Sequence, residues 1–236
     1  MFTHYNTKGI ILEKRGMREA DEVITLYTYD FGRVDIVGRS LRKANSKLKM
    51  NTSLFSLVEI GFVQGRSCNR MVDVRIINSF NSARRDLAKM SLFYRLSEIF
   101  LSLVRGEEKD KEIFSFILRS FEKIEEISFK GDSLKLFYCF FSFRLLYLLG
   151  YKIYTEGCAV CDARVEKECY FNAKEGGVIC NNCYQKNEGI YLEDIRHLKS
   201  FFEEEEKRNI FKQDVNDFIN MLESYLALMP ERAKRA

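Results

Sequence analysis

Two Cys-x-x-Cys pairs stand out first: Cys158-Ala-Val-Cys161 and, eighteen residues on, Cys180-Asn-Asn-Cys183. A two-residue gap lets both thiolates of a pair turn toward one point, and two such knuckles complete a tetrahedral zinc site. Four thiolates leave no open coordination position, so the spacing predicts one structural Zn2+ and not a catalytic metal. Gly157, Gly176 and Gly177 supply the backbone freedom that knuckles need. A redox-active Cys-x-x-Cys would explain one pair and leave the other idle. Cys68, Cys139 and Cys169 fall outside the spacing, and Cys139, in an apolar run, reads as core.

The second chemical feature is a basic segment. Arg33, Arg39, Arg42, Lys43, Lys47 and Lys49 fall within seventeen residues that hold one acid, Asp35. From Gly38, the stretch GRSLRKANSKLK reads as a flexible loop, able to lay cations along a phosphate backbone without fixing sequence. A solvated surface loop is the bland alternative. Phe31, Phe55, Tyr27 and Tyr29 lie nearby as stacking surfaces or, for most of them, core.

No catalytic constellation accompanies these features. His4 and His197 are the only histidines, and neither belongs to a paired metal or general-base motif. The phosphate loop G-x-x-x-x-G-K-S/T and the G-x-S-x-G elbow are absent from the sequence. The acidic run Glu203–Glu206 reads as a solvated helix end. A non-enzymatic protein is expected.

The elements that must position these residues change character near residue 80. Before it, short stretches rich in Ile, Val, Thr and Tyr read as five strands: Gly9–Glu13, Val23–Tyr29, Arg33–Val37, a run carrying Val58, Ile60 and Phe62, and Met71–Ile77. In the last, Val72, Val74 and Ile76 should face inward. Five short strands suit a small closed barrel of OB type, with an SH3-like barrel as the competitor. After residue 80 the apolar period becomes 3.6. Leu87, Met90, Phe93, Leu96, Phe100 and Leu103 form one stripe behind a cap at Asn81 or Ser82. Ile113, Ile117, Phe121 and Ile124 form another, with Asp110 able to cap. A nearly all-apolar helix then runs from Asp132 or Ser133 to Gly150. Ile195, Leu198 and Phe202 mark a further helix, and Val215, Phe218, Leu222, Tyr225 and Met229 a last one, stopped by Pro230.

The formal net charge of +4 names no partner by itself, but residues 1–80 hold 13 cations against 8 acids. Residues 158–183 hold three cations against four acids, which argues against the cysteine segment as a polyanion contact. The N-terminal stretch shows no signal peptide, and the longest apolar run is broken by Lys135 and Arg144. A cytoplasmic protein is expected, in which paired cysteines bind metal more readily than they form disulfides.

In its order of features the chain resembles the bacterial RecO family. The resemblance rests on Tyr5-Asn-Thr-Lys-Gly9-Ile-Ile-Leu12, Glu19-Ala-Asp21-Glu-Val-Ile-Thr-Leu26 and Phe31-Gly32-Arg33. It continues in Tyr147-Leu-Leu-Gly150-Tyr151 leading to Cys158-x-x-Cys161, and in Phe171 with Gly176-Gly177-Val-Ile-Cys180-x-x-Cys183. It implies an α+β protein: an OB-fold DNA-binding domain over 1–80, a helical domain over 81–157 and 184–236, and a four-Cys zinc insertion over 158–183. It also implies DNA repair and recombination, binding of single- and double-stranded DNA, and annealing of complementary strands. RecR, the C-terminal tail of single-stranded DNA-binding protein and, functionally, RecA would be partners, with no membrane and a nucleoid-associated location. The family's basic residues after the third strand fall on Arg39, Arg42, Lys43 and Lys47. The family's usual Lys-Gly-Ala-Arg pattern there survives only as Gly38-Arg39-Ser40-Leu41-Arg42-Lys43. A zinc-ribbon adaptor, with a barrel that binds protein, is the alternative outside the family.

Overall fold

Strand β1 (His4–Met17) is long enough to serve two partners. Its first half pairs with β4 (Leu57–Gln64) and its second with β2 (Asp21–Thr28), both antiparallel, and a register shift between Ile11 and Glu13 bends it between them. β3 (Gly32–Gly38) follows β2, and β5 (Asn69–Asn78) pairs with β4. A short parallel ladder, Ile36 with Asn69 and Val37 with Arg70, joins β3 to β5 and closes a barrel of order β1-β2-β3-β5-β4. This is the OB-type closure, and the strand order sets it apart from the SH3-like alternative. The computed structural model describes residues 3–17, 19–43, 45–46, 48–106, 108–165, 168–184, 189–192 and 214–232, side chains at 214, 215 and 229–232 excepted. Lys47, the helix expected around Ile195, Leu198 and Phe202, and the Glu203–Glu206 run lie outside the described residues.

Inside the barrel Ile11, Ile24, Leu26, Val34, Ile36, Val58, Ile60, Phe62 and Val74 make the core, with Leu41 added from the basic segment. Val58, Ile60 and Phe62 face inward as their alternation predicts. β5 departs from its expected period. Its register shifts between Gly61 and Phe62 of β4, so that Asp73 and Met71 take successive partners and Val72 is skipped. The bulge turns Met71 onto the core and leaves Val72 49 % exposed.

Residues 1–128 form one compact unit, in which three helices pack on the barrel. α1 is a single turn, Asn81–Arg84, and α2 spans Leu87–Leu103. The cap of α2 is Asp86, accepting from Ala88 N at 2.8 Å and Lys89 N at 3.3 Å, not the expected Asn81 or Ser82. With the helix starting there, Leu87 falls in its first turn at 87 % exposure, and Leu92, Phe93, Leu96, Ile99 and Phe100 carry the buried face. α3 (Lys111–Glu126) is capped by Asp110 as expected, through Glu112 N and Ile113 N at 2.8 and 3.0 Å. Phe55, Phe80, Phe93 and Phe121 interlock between barrel and helices, with centroids 4.7 Å apart for Phe93–Phe121 and 5.5 Å for Phe55–Phe93. The Arg84 guanidinium, donating to the Leu54 carbonyl and to Ser56 Oγ at 2.9 Å, adds a polar tie.

Residues 129–236 form the second unit. α4 (Ser133–Leu148) buries Phe137, Cys139, Phe141, Phe143, Leu145 and Leu146, so Cys139 is core. The helix ends at Gly150, φ +88°, where Gly150 N bonds Tyr147 O and Tyr151 N bonds Leu146 O. That pair of bonds is the Schellman stop, and the left-handed φ explains the glycine. A three-stranded sheet follows, order β7-β6-β8, from β6 (Cys169–Asn172), β7 (Gly177–Ile179) and β8 (Ile190–Leu192). α5 (Asp214–Arg232) buries Phe218, Met221, Leu222 and Tyr225 and runs two residues past the expected stop at Pro230. Near a helix end Pro removes one N–H and need not break the helix where it stands.

Candidate metal centre and nucleic-acid groove

The second unit brings Cys158, Cys161, Cys180 and Cys183 together, their sulfurs all within 4.8 Å of one another. Cys161 Sγ and Cys180 Sγ are 3.8 Å apart, matching the edge of about 3.8 Å for a tetrahedron with Zn–S bonds of about 2.3 Å. The first knuckle is tied by Cys158 N to Ala163 O and Asp162 N to Cys158 O, at 2.9 and 2.8 Å. Ala159 N reaches Val178 O of β7 at 2.7 Å. In the second knuckle Cys183 N and Tyr184 N both bond Cys180 O. Gly177 is required because a Cβ there would stand 2.5 Å from Tyr154 O, the bridge that braces the first knuckle. Cys169 sits in β6, fully buried and outside the cluster.

The electrostatics of the cluster favour a cation. Burial pushes the Cys158 thiol up, but N–H groups from Cys180, Cys161 and Val160 outweigh it and bring the group down to about 6. Cys183 is pushed up to about 12, first by the Cys161 sulfur and then by Cys180. Four sulfurs this close cannot all ionise against one another, so full deprotonation calls for a positive ion among them. An all-thiolate, four-coordinate set is the donor chemistry of a soft divalent ion in a closed, structural site.

In the first unit the basic residues divide. Arg39, Arg42, Lys43 and Lys49 are exposed, and among the described residues none is in an ion pair. Arg33 is placed differently: its guanidinium donates to Leu101 O and Val104 O, at 2.8 and 3.2 Å, closing the C-terminus of α2. Lys47 lies outside the described residues.

The described residues between Gly38 and Asn51 are linked by turns and anchored at several points to the barrel. Leu41 is fully buried in the barrel. Ser40, at φ +55°, gives its N–H to Asp21 Oδ1 at 2.8 Å, and Arg42 N bonds Ala20 O at 3.0 Å. Successive bonds Lys43 N to Ser40 O, Ser46 N to Lys43 O and Lys49 N to Ser46 O carry the turns on to a 3-10 helix at Lys49–Asn51. Asn51 Nδ2 then fastens the segment to Val74 O of β5.

Beside this segment a groove of about 620 Å³ lies on the outer face of the barrel, over β2 and β3, walled by the end of β1 and by the β4–β5 loop. Arg15, Val23, Asp35, Val37, Gly65 and Asn69 are among its lining residues. This is the face and loop pair that OB barrels use for oligonucleotides. Arg42 reaches its edge, with a guanidinium nitrogen 3.6 Å from where a Cβ on Gly16 would sit. Arg66 and Arg70, both exposed, flank the wall. Asp35 is tied on two sides, to Thr25 Oγ1 at 2.7 Å and to Arg15 at 3.1 Å. Arg15, Arg66 and Arg70 carry no sequence signal as a cluster. Only the strand order of the barrel, which puts the β1–β2 and β4–β5 loops at one end, would have found them.

The second unit also contains a cavity of about 550 Å³ lined by Phe140, Phe143, Tyr147, Ile153, Arg144 and Lys152. Arg144 and Lys152 both stand over the Tyr147 ring, at 5.0 and 4.7 Å. No helix among the described residues is long and apolar enough to cross a membrane.

Fold and site define an OB-barrel protein with a helical body and a four-cysteine module whose sulfurs are placed to hold a metal ion. The family description "Recombination protein O N terminal" matches residues 1–80 and "Recombination protein O C terminal" matches residues 84–226. The chain belongs to the RecO family. It is 27 % identical over 179 residues to the DNA repair protein RecO of Clostridium novyi (strain NT), covering 76 % of this chain and 69 % of the relative. To the protein of the same name from Dehalococcoides mccartyi (strain ATCC BAA-2266 / KCTC 15142 / 195) it is 26 % identical over 215 residues, 90 % of this chain and 83 % of the relative.

Proposed function

We propose that this chain is a DNA repair and recombination mediator that binds single- and double-stranded DNA on the barrel and anneals complementary strands. The observation that carries the reading is the groove on the β2–β3 face, edged by Arg42, Arg66 and Arg70 and continuous in sequence with Arg39, Lys43 and Lys49. Cations held on a rigid surface neutralise the phosphates of two strands and lower the repulsion that keeps them apart. Arg33, occupied by carbonyls of α2, keeps a structural part in this scheme. Annealing makes and breaks no covalent bond, so no catalytic residue is assigned.

The four cysteines would hold one structural zinc ion, whose contribution is a cross-link between the two knuckles. With RecR the protein would help load RecA onto DNA coated by single-stranded DNA-binding protein, in the cytoplasm at the nucleoid. The cavity over Phe140, Phe143 and Tyr147, with Arg144 and Lys152 at its rings, suits the acidic tail of that coating protein: apolar groups for its side chains, cations for its carboxylates.

Salt dependence of binding tests the central part. About six cations on phosphates give a slope of log K against log salt near −5 on duplex and near −4 on single strands. A slope near −1 on both would contradict the use of this surface.

A further inference from the structure

Resting on the DNA-binding reading above, we propose that the barrel groove holds the sugar–phosphate backbone alone and turns the bases outward, free to pair. OB barrels that grip single strands usually stack bases on aromatic side chains, an interaction worth roughly 5- to 150-fold in affinity per base. Among the described residues this barrel offers no such platform. No aromatic residue is found among the residues lining the groove. Across residues 15–24, 33–56 and 64–70, which supply its floor, its walls and the basic segment, the single aromatic is Phe55. Phe55 is fully buried and stacked on Phe93.

The other barrel aromatics among the described residues are committed elsewhere. Tyr27 is buried edge-on against Phe100, 4.9 Å between centroids. Tyr29 packs on Phe114 of α3, with Lys111 Nζ over its ring. Tyr5 reaches Gln64 at the groove edge through its hydroxyl, yet its ring is held by Phe31 and Phe62, at 5.2 and 5.4 Å. What the groove does present is chemistry for phosphate and sugar: Gly16 and Gly65 for close approach, Ser67 and Asn69 as polar groups, and Arg42, Arg66 and Arg70 around them. A strand bound this way keeps its Watson–Crick edges in solvent. The arrangement joins strand binding to annealing, since a base held in a stack must first be released before it can pair.

The test compares the full-length protein's affinity for a thymidine homo-oligonucleotide and for an abasic oligomer with the same number of phosphates. The expected result is equal affinity within about threefold and the same salt slope for both, because phosphate contacts carry the binding. Arg42→Glu and Arg66→Glu, both at exposed positions, should weaken the two ligands by the same factor. An abasic oligomer bound tenfold or more weakly than the thymidine oligomer would overturn the inference while leaving DNA binding intact. Equal affinities that neither substitution changes would overturn it too, since the contact would then lie elsewhere. If neither ligand binds, the DNA-binding reading itself falls, and this one with it.

Discussion

Cys158 and Cys180 show how single residues define the four-cysteine cluster. The Cys180 N–H points at the Cys158 sulfur from 3.3 Å, so the backbone of one knuckle stabilises the thiolate of the other. The four-cysteine cluster was legible from spacing, because a two-residue gap has few outcomes when it is repeated. Cys169 was legible only as an outsider, and its burial in β6 gives it a place in the core. Purified protein is expected to carry one zinc per chain by elemental analysis. Cys180→Ser should remove it and raise amide exchange through residues 158–183, since a structural zinc contributes roughly 10–16 kcal/mol in small peptides. Zinc retained at full occupancy in that variant would mean the four-sulfur site is wrongly assigned. Arg33 carries the opposite lesson. Its charge and its place in the basic run were visible in sequence, whereas its carbonyl partners Leu101 and Val104 lie about seventy residues away.

At the scale of elements, the basic segment is the main departure from what the sequence suggests. Ser, Asn and charge read as a flexible loop, but Leu41 enters the barrel core and Asp21 holds the Ser40 amide. Gly38 makes room for that anchor: a Cβ there would fall 2.1 Å from Leu41 Cδ1. One apolar residue among charges is a weak signal, and its destination depends on a barrel wall formed by distant strands. The β5 bulge was hidden for the same reason, because a register shift belongs to a pair of strands and not to either alone. Leu41→Ala should cost about 2–5 kcal/mol in unfolding free energy, as large-to-small core changes do, and loosen the adjoining turns. Denaturant unfolding checks the first effect and amide exchange at Arg42 and Lys43 the second. A change below about 0.5 kcal/mol would contradict the anchoring role, that being the range of ordinary surface substitutions.

For the whole molecule, a net charge of +4 conceals 13 cations against 8 acids in the first 80 residues. Of these, Arg15, Arg42, Arg66 and Arg70 stand at or beside a barrel groove, in a family whose named relatives from Clostridium novyi and Dehalococcoides mccartyi are DNA repair proteins. The order of the five barrel strands, of α2, α3, α4 and α5, and of the cysteine knuckles was readable because each follows from local periodicity or spacing, whereas the sheet of β6, β7 and β8 was not expected. The groove and the cavity over Tyr147 were not, since each exists only where distant segments meet. The most direct measurement is the rate at which the protein anneals complementary oligonucleotides, compared with a variant carrying Arg39→Glu, Arg42→Glu and Lys43→Glu. Reversing these three exposed charges on a folded barrel should slow annealing at least tenfold at about 50 mM salt, with the difference shrinking as salt rises. Annealing at an undiminished rate by a variant of unchanged thermal stability would contradict the assignment of this surface to DNA.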